Sequence, residues 1–259
     1  MHVGNRKAGA VIGCRERIAL YALLTGLTAL SIDGLLPGLR MIGAELPAAP
    51  PLSTQHVVSL FILGMAVGEL VLGPLSDAVG RKPSLLAGLA IYLTGSVIAL
   101  LAPSLGWLVF GRCLQGVGVA GPKIATRAMI RDQFSGDAMA RVLSLMFTLF
   151  ILVPMLAPGL AQLLIGVAGW RSIFGAYLAI ALALGLWLLC RQPETLPLAS
   201  RLPVRPRLLL ANGRRIFQDI RISCLILAAG LVFGAQLLYL STAADLFFDV
   251  YGVKERSPL

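Results

Sequence analysis

The stretch Gly73-Pro74-Leu75-Ser76-Asp77-Ala78-Val79-Gly80-Arg81-Lys82-Pro83-Ser84 is a short charged segment between two long apolar runs. A connection this short joins two antiparallel membrane-spanning helices. Gly73 and Gly80 permit close approach and unusual backbone angles. Arg81 and Lys82 place positive charge at a membrane surface, which marks that surface as cytoplasmic. We call residues 73–84 the charged loop.

The composition is that of an integral membrane protein. Hydrophobic residues make up 58% of the 259 residues, charged residues make up 13%, and the mean hydropathy is +0.86. These values lie far outside the range of soluble domains. The net charge of +10 raises the question of a nucleic-acid partner. The basic residues lie between apolar runs rather than on a soluble module, so we predict no nucleic-acid binding and a lipid bilayer as the surroundings.

Seven apolar stretches are long enough to cross ~30 Å of hydrocarbon at ~1.5 Å per residue. Backbone polar groups in lipid need partners within the same span, so each stretch is predicted to be a helix. The predicted spans are Ile18–Leu39, His56–Ser76, Ser84–Ala102, Gly106–Thr126, Val142–Ile165, Ser172–Cys190 and Ile222–Thr242.

The distribution of Lys and Arg between these spans predicts the orientation. With the N-terminus in the cytoplasm, the inner segments contain 17 of these residues and the outer segments contain four. Positive charge is enriched in cytoplasmic loops. We therefore predict a multi-pass protein of the cell inner membrane with a cytoplasmic N-terminus.

The spans and connections divide the chain into three segments. Residues 1–190 form a predicted six-helix transmembrane bundle, residues 191–221 a basic cytoplasmic linker, and residues 222–259 the first span of an incomplete C-terminal half. The linker is the only long connection and is rich in Pro and Arg. The predicted fold is an all-α membrane bundle of six spans plus a seventh, the layout of a two-halved transporter whose second half is truncated.

Four ionisable residues lie within the predicted spans: Asp33, Glu69, Arg112 and Lys123. A charge at mid-bilayer costs at least ~2.5–3.5 kcal/mol, so each is expected to face the bundle interior, water or a partner. Lys123 is close enough to the cytoplasmic end to extend its ammonium group to water, so we expect its loss to matter little.

Asp33 and Arg112 are predicted to lie at one depth, each ~9 Å inside the outer surface at helical rise. An ion pair between them would either neutralise two buried charges or form a site for a proton or a cationic substrate. Gln115 is a polar neighbour one turn from Arg112. We hypothesise that Asp33 is the proton and substrate carrier and that Glu69 is the next candidate.

No catalytic or metal site is predicted. Residues 116–121, Gly-Val-Gly-Val-Ala-Gly, fit the dinucleotide-binding GxGxxG pattern, but they lie inside a span without the preceding strand that this fingerprint requires. We interpret these glycines, with Gly64 and Gly68, as positions where helices pack closely. The two histidines lie far apart, and the four cysteines fit no metal-ligand spacing.

Several motifs resemble those of one transporter family. The charged loop resembles the signature loop between the second and third helices of major facilitator superfamily transporters, with Ala78 in place of a basic residue. Residues 55–84 look like the Bcr/CflA type of drug:proton antiporter, in which Glu69 replaces a usual Gln. Further matches to this family are found in order along the chain at residues 111–118, 127–134, 169–174 and 193–195.

The resemblance implies a proton-driven exporter of drugs or small amphipathic or cationic metabolites, with no cofactor beyond the proton gradient. It implies that Asp77 of the charged loop contacts a helix of the other half and locks one state. Ala157-Pro158-Gly159 matches part of the antiporter pattern of the fifth helix, where Pro154 and Pro158 are expected to bend the helix.

Length is the main departure from this family, which has twelve spans around a cavity between two halves. The seven predicted spans leave two alternatives. The chain is a transporter, either alone or with a second chain that supplies the missing half. Otherwise it is a truncated, non-transporting remnant or a partner-binding subunit with the same fold.

Overall fold

The computed structural model describes residues 13–46, 52–203 and 205–245. The described residues form α-helices, two short 3-10 turns at Leu36–Gly38 and Leu198–Ser200, and no strand. The predicted all-α fold is therefore confirmed. The helices are α1 Cys14–Asp33, α2 Leu39–Glu45, α3 His56–Val79, α4 Arg81–Leu100, α5 Leu105–Gln133, α6 Gly136–Ala168, α7 Arg171–Arg191, α8 Pro206–Gln218 and α9 Ile220–Asp245.

The chain divides into two compact units, Met1–Leu202 and Pro203–Leu259. The first unit contains α1 to α7, and the second contains α8 and α9. In the first unit α5 packs against both α3 and α4, α1 packs against α6, and α4 packs against α7. Helices that are adjacent in sequence are thus not always the closest neighbours in space.

Five helical segments of the described chain are long and apolar enough to cross a membrane: Cys14–Glu45, His56–Val79, Arg81–Leu100, Gly136–Ala168 and Arg171–Arg191. The apolar stretch Ile220–Gln236 of α9 is shorter. The helix α5, predicted as the fourth span, does not meet this standard because its glycines, Arg112 and Gln115 lower its hydropathy. With 29 residues, α5 is nevertheless long enough to cross the membrane. Most of its residues are buried between neighbouring helices, so few of its side chains face lipid and need to be apolar.

Glycines bring α3, α4 and α5 into backbone contact. A Cβ atom at Gly116 would lie 2.0 Å from the backbone oxygen of Phe61, and one at Gly118 would lie 2.3 Å from the backbone nitrogen of Tyr92. A Cβ atom at Gly64 would likewise lie 2.2 Å from the backbone oxygen of Cys113. Only hydrogen fits at such distances, so the interpretation of these glycines as helix-packing positions is confirmed.

The charged loop is almost entirely helical, contrary to the prediction of a loop. The helix α3 continues to Val79 and α4 begins at Arg81, so Gly80 alone interrupts the two helices. Gly80 has φ +115°, which a residue with a side chain rarely adopts. Gly73 lies inside α3 in helical conformation, so its predicted unusual backbone angle is wrong.

Other predicted features differ from the structure or extend it. The first span ends as an α-helix at Asp33, because Gly34 and the following Leu36–Gly38 turn interrupt it before α2. The predicted linker contains the helix α8. The helix α6 runs unbroken from Gly136 to Ala168 through Pro154 and Pro158, and the bend expected at these prolines stays a prediction.

Candidate functional site

Arg112 is the centre of a buried polar cluster in the first unit. Its side chain is fully buried, and it donates from Nη2 to the backbone oxygen of Ser31 at 2.8 Å and from Nε to that of Val57 at 3.2 Å. Nη1 donates to Oε1 of Gln115 at 2.8 Å. The guanidinium carbon lies 4.2 Å from the centre of the Phe61 ring, a cation–π contact. Arg112 thereby joins α5 to α1 and α3.

The predicted ion pair between Asp33 and Arg112 is not formed. Within the described residues, the three hydrogen bonds of Arg112 go to two backbone oxygens and one amide oxygen, and none goes to a carboxylate. Asp33 is the last residue of α1 and is half-buried. Arg112 does contact α1, as expected from the equal depth of Asp33 and Arg112 in the membrane. Its guanidinium group, however, binds the backbone oxygen of Ser31, two residues before Asp33.

The polar cluster continues into α4 through residues that sequence reasoning did not single out. Nε2 of Gln115 donates to Oγ of Ser96 at 2.6 Å, and the hydroxyls of Ser31 and Tyr92 lie 2.7 Å apart. These side chains are buried. Serine and tyrosine carry no charge, so a search for charged residues within the spans does not find them. They belong to α1 and α4, whereas Arg112 belongs to α5.

Glu69 and Lys123 form an ion pair between α3 and α5. Nζ of Lys123 lies 2.5 Å from Oε1 of Glu69 and 3.7 Å from the sulfur of Met65. The side chain of Lys123 is 21% exposed and that of Glu69 is 36% exposed. The structure thus gives Glu69 a partner that the sequence did not identify, and the partly exposed Lys123 ammonium group pairs with it.

At the charged-loop end of the bundle, Arg81 links three helices. Its Nη1 pairs with Oδ1 of Asp77 and donates to Oγ of Ser76 at 3.2 Å. Its Nε donates to Oδ2 of Asp132 in α5 at 3.1 Å. Thr195 also donates to that oxygen at 3.2 Å. Asp77 is thus paired within its own half of the fold, a contact that the resemblance did not predict.

Glu194 caps the first turn of α4. Its Oε1 accepts the backbone N–H of Arg81 at 3.0 Å, and its Oε2 accepts that of Lys82 at 3.1 Å. The first backbone N–H groups of a helix have no partner in the helix, and they carry partial positive charge. The side chain of Lys82 donates to the backbone oxygen of Leu189 at the end of α7 at 3.0 Å. A carboxylate 113 positions from Arg81 in the sequence therefore supplies the hydrogen-bond acceptors for the start of α4.

Two further charge clusters connect the first-unit helices. Near the charged-loop end, Glu16 of α1 accepts from Arg191 at 2.8 and 2.9 Å and from the indole of Trp187 at 3.0 Å. At the opposite end, Glu45 of α2 pairs with Arg171 and accepts from the indole of Trp170. The described residues contain no cluster of His, Cys, Asp and Glu that would hold a metal ion.

A bundle of long apolar helices, joined through buried polar clusters and charged pairs at both ends, is the architecture of a multi-pass membrane protein. A family model described as the Major Facilitator Superfamily matches residues 21–258. The chain belongs to this superfamily. It is therefore a membrane protein of a transporter family rather than an enzyme.

Curated relatives support the same assignment. The "Uncharacterized MFS-type transporter YdgK" of Bacillus subtilis is 33% identical over 245 residues, covering 92% of this chain and 60% of that protein. The bicyclomycin resistance protein homolog of Haemophilus influenzae is 27% identical over 236 residues, covering 91% and 59%. The multidrug resistance protein MdtL of Escherichia coli is 30% identical over 222 residues, covering 85% and 55%. The resemblance to the Bcr/CflA type is thereby confirmed.

The chain spans about 60% of the length of the first of these relatives and slightly less of the other two. Solved structures show the same fold. The human organic anion transporter MFSD10 (TETRAN) matches with a TM-score of 0.65 at 19% identity, covering 93% of this chain and 67% of that one. A D-xylose-proton symporter matches with a TM-score of 0.61 at 18% identity, covering 91% and 62%.

Proposed function

We propose that this protein is a proton-coupled transporter that exports drugs or small amphipathic or cationic metabolites across the cell inner membrane, with its N-terminus in the cytoplasm. The names of two relatives, a bicyclomycin resistance protein homolog and a multidrug resistance protein, support export of drug-like compounds. The distribution of 17 inner and four outer Lys and Arg residues supports the orientation. The proton gradient supplies the energy, and no cofactor is required.

The observation that carries this proposal is the state of two carboxylates in the membrane-spanning bundle. Asp33 lies half-buried at the end of α1, next to the peptide segment that Arg112 holds, and has no ion pair with it. Glu69 is paired with Lys123 and remains partly exposed. Asp33, which is half-buried and has no ion pair with Arg112, is able to exchange a proton for another cation, whereas Glu69 must first release Lys123.

The proposed exchange keeps charge in balance at Asp33. With a cationic substrate bound, the carboxylate is ionised and the substrate neutralises it. When the substrate leaves, a proton binds to the same carboxylate, and the neutral acid is stable in a partly desolvated site. Arg112 does not neutralise Asp33 directly, and its role is to hold the end of α1 in place through the backbone oxygen of Ser31.

Proteoliposomes containing the purified chain alone provide the test. The lumen is made acidic relative to the outside, and accumulation of ethidium, a cationic probe, is followed by fluorescence. We expect ethidium uptake that disappears when nigericin collapses the pH gradient. We also expect Asp33→Asn to abolish uptake without loss of membrane insertion.

Asp137→Asn is the matched control, because Asp137 is an exposed residue in the first turn of α6, away from the polar cluster. It should leave uptake unchanged. Uptake by Asp33→Asn at the rate of the unmodified chain would assign the proton to another group, with Glu69→Gln as the next variant. If the unmodified chain shows no uptake at all, this chain alone is not the transporter.

A further inference from the structure

The helix α8 of the second unit has one apolar and one basic side. It contains the sequence Pro-Arg-Leu-Leu-Leu-Ala-Asn-Gly-Arg-Arg-Ile-Phe-Gln over residues 206–218. At about 100° per residue, the helical register separates two sets of positions. Of the positions whose side chains are described, the apolar side carries Ile216 and Phe217, and the basic side carries Arg207, Arg214, Arg215 and Gln218.

The described apolar side chains of α8 are exposed. Phe217 is 70% exposed and Ile216 is 43% exposed. Large apolar side chains on an exposed helix face mark a surface that meets a partner or a membrane. The exposed apolar surface continues into Ile220, the first residue of α9, which is 73% exposed.

The charge of this region is of one sign. Residues 195–218 contain five arginines and no Asp or Glu. Each basic residue near an anionic bilayer surface is attracted to it, whereas a neutral surface offers no such attraction. The sequence therefore complements a negatively charged surface over the whole segment that includes α8.

The position of α8 next to α9 favours a membrane as that surface. The helix α8 ends at Gln218 and α9 begins at Ile220, so a single residue separates them. That residue, Asp219, caps α9, since its Oδ1 accepts the backbone N–H of Arg221 at 2.9 Å. The apolar stretch Ile220–Gln236 follows directly. The C-terminal end of α8 is thus held where the apolar stretch of α9 begins.

We propose that α8 lies in the bilayer interface, with Phe217 and Ile216 at the boundary of the acyl chains and its arginines on anionic phospholipid head groups. Amphipathic helices with Lys or Arg on the polar face and large apolar residues opposite bind membrane surfaces in this way. Nucleic acid is a less suitable partner, because it would not cover the apolar side, and a protein that covers this side is one of the outcomes that the experiment below distinguishes. The inference does not depend on the proposed transport activity.

Spin labels at two neighbouring positions test the proposal in the full chain. In a background with Cys14, Cys113, Cys190 and Cys224 changed to Ser, Phe217→Cys places a label on the apolar side of α8 and Gln218→Cys places one about 100° away, on the basic side. The chain is reconstituted in nanodiscs of phosphatidylcholine with and without phosphatidylglycerol. Accessibility to oxygen and to a water-soluble nickel chelate is measured by power-saturation spectroscopy.

We expect the label at 217 to be more accessible to oxygen and the label at 218 to be more accessible to the nickel chelate. This contrast between the two labels should be larger when phosphatidylglycerol is present. Changing Arg207, Arg214 and Arg215 together to Gln should release α8 from the surface, with a fall of about fivefold in the ratio of bound to released α8 for each arginine. Changing the same three residues to Lys keeps the charge and should keep the contrast.

Three results would overturn the proposal. Equal access of the nickel chelate to both labels would place α8 in water. A label at 217 that neither reagent reaches would show that protein covers the apolar side. A contrast that is the same with and without phosphatidylglycerol would remove the role of anionic head groups.

Discussion

Nζ of Lys123 lies 2.5 Å from Oε1 of Glu69 and joins α5 to α3 about 15 Å from the C-terminal end of α3 at helical rise. Each side chain retains partial exposure. Removal of one partner would leave the other charge partly desolvated. The pair therefore yields a prediction opposite to that from the sequence, in which the loss of Lys123 matters little.

We expect Lys123→Ala to lower the free energy of unfolding by about 1–2 kcal/mol, because the Glu69 carboxylate loses its partner. Lys123→Ala combined with Glu69→Gln should cost less than the sum of Lys123→Ala and Glu69→Gln made separately, since neither charge is then left without its partner. The measurement is thermal unfolding of the purified chain in one detergent, with all variants compared. Effects of the single changes that simply add in the double variant would contradict the ion pair.

Gly80→Ala and Gly73→Ala should differ sharply although both glycines belong to the charged loop. At Gly80 a Cβ atom would lie 2.5 Å from Oε2 of Glu194, and φ is +115°. At Gly73 the nearest atom, of Ile124, would be 3.8 Å away. We expect a loss of about 1–3 kcal/mol at Gly80 and none at Gly73, measured as the midpoint of thermal unfolding. Equal midpoints for the two variants would refute this.

Glu194→Ala should loosen the start of α4, because the carboxylate accepts the backbone N–H groups of Arg81 and Lys82. Loss of a helix cap costs about 0.5–2 kcal/mol. Hydrogen exchange of the amides at residues 81 and 82 should become faster in this variant. Glu194→Gln keeps one acceptor oxygen and should give an intermediate rate. Unchanged exchange in Glu194→Ala would show that the cap has no energetic role.

Arg112→Lys should fail to replace Arg112 despite the conserved charge. A single ammonium group does not reproduce the planar fork that reaches Ser31, Val57 and Gln115. Each buried acceptor left without a donor costs about 1–3 kcal/mol. We expect poor yield of folded protein, measured by size-exclusion chromatography in detergent. Arg127→Lys, at an exposed position of α5, is the control and should behave as the unmodified chain does.

Gly116→Ala and Gly159→Ala test the backbone contacts of α5. A Cβ atom at Gly116 would lie 2.0 Å from a backbone oxygen of α3, whereas nothing lies within 4 Å of one at Gly159. Overpacking costs about 1–3 kcal/mol when the surroundings must shift. We expect thermal destabilisation at Gly116 only. A stable Gly116→Ala variant would mean that α3 and α5 separate without cost.

The sequence by itself predicted the long apolar helices of the described residues and the family of the chain, although it placed a loop at residues 73–84 and missed α8. The reason is physical: a helix in lipid must satisfy its own backbone groups, so length and apolarity are sufficient signals. The charged loop, the glycines of residues 116–121 and the motif with Arg112 are local patterns of the same kind. Each can be recognised from a few neighbouring residues in the sequence.

Only the tertiary structure decided which charges meet. The sequence placed Asp33 and Arg112 at one depth, but depth leaves the direction of each side chain around its helix undetermined, and Arg112 binds the backbone at Ser31 instead. Lys123 and Glu69 are 54 positions apart, and Glu194 is 113 positions from Arg81. These pairs depend on how the helices pack and rotate against one another, which no local pattern of residues encodes.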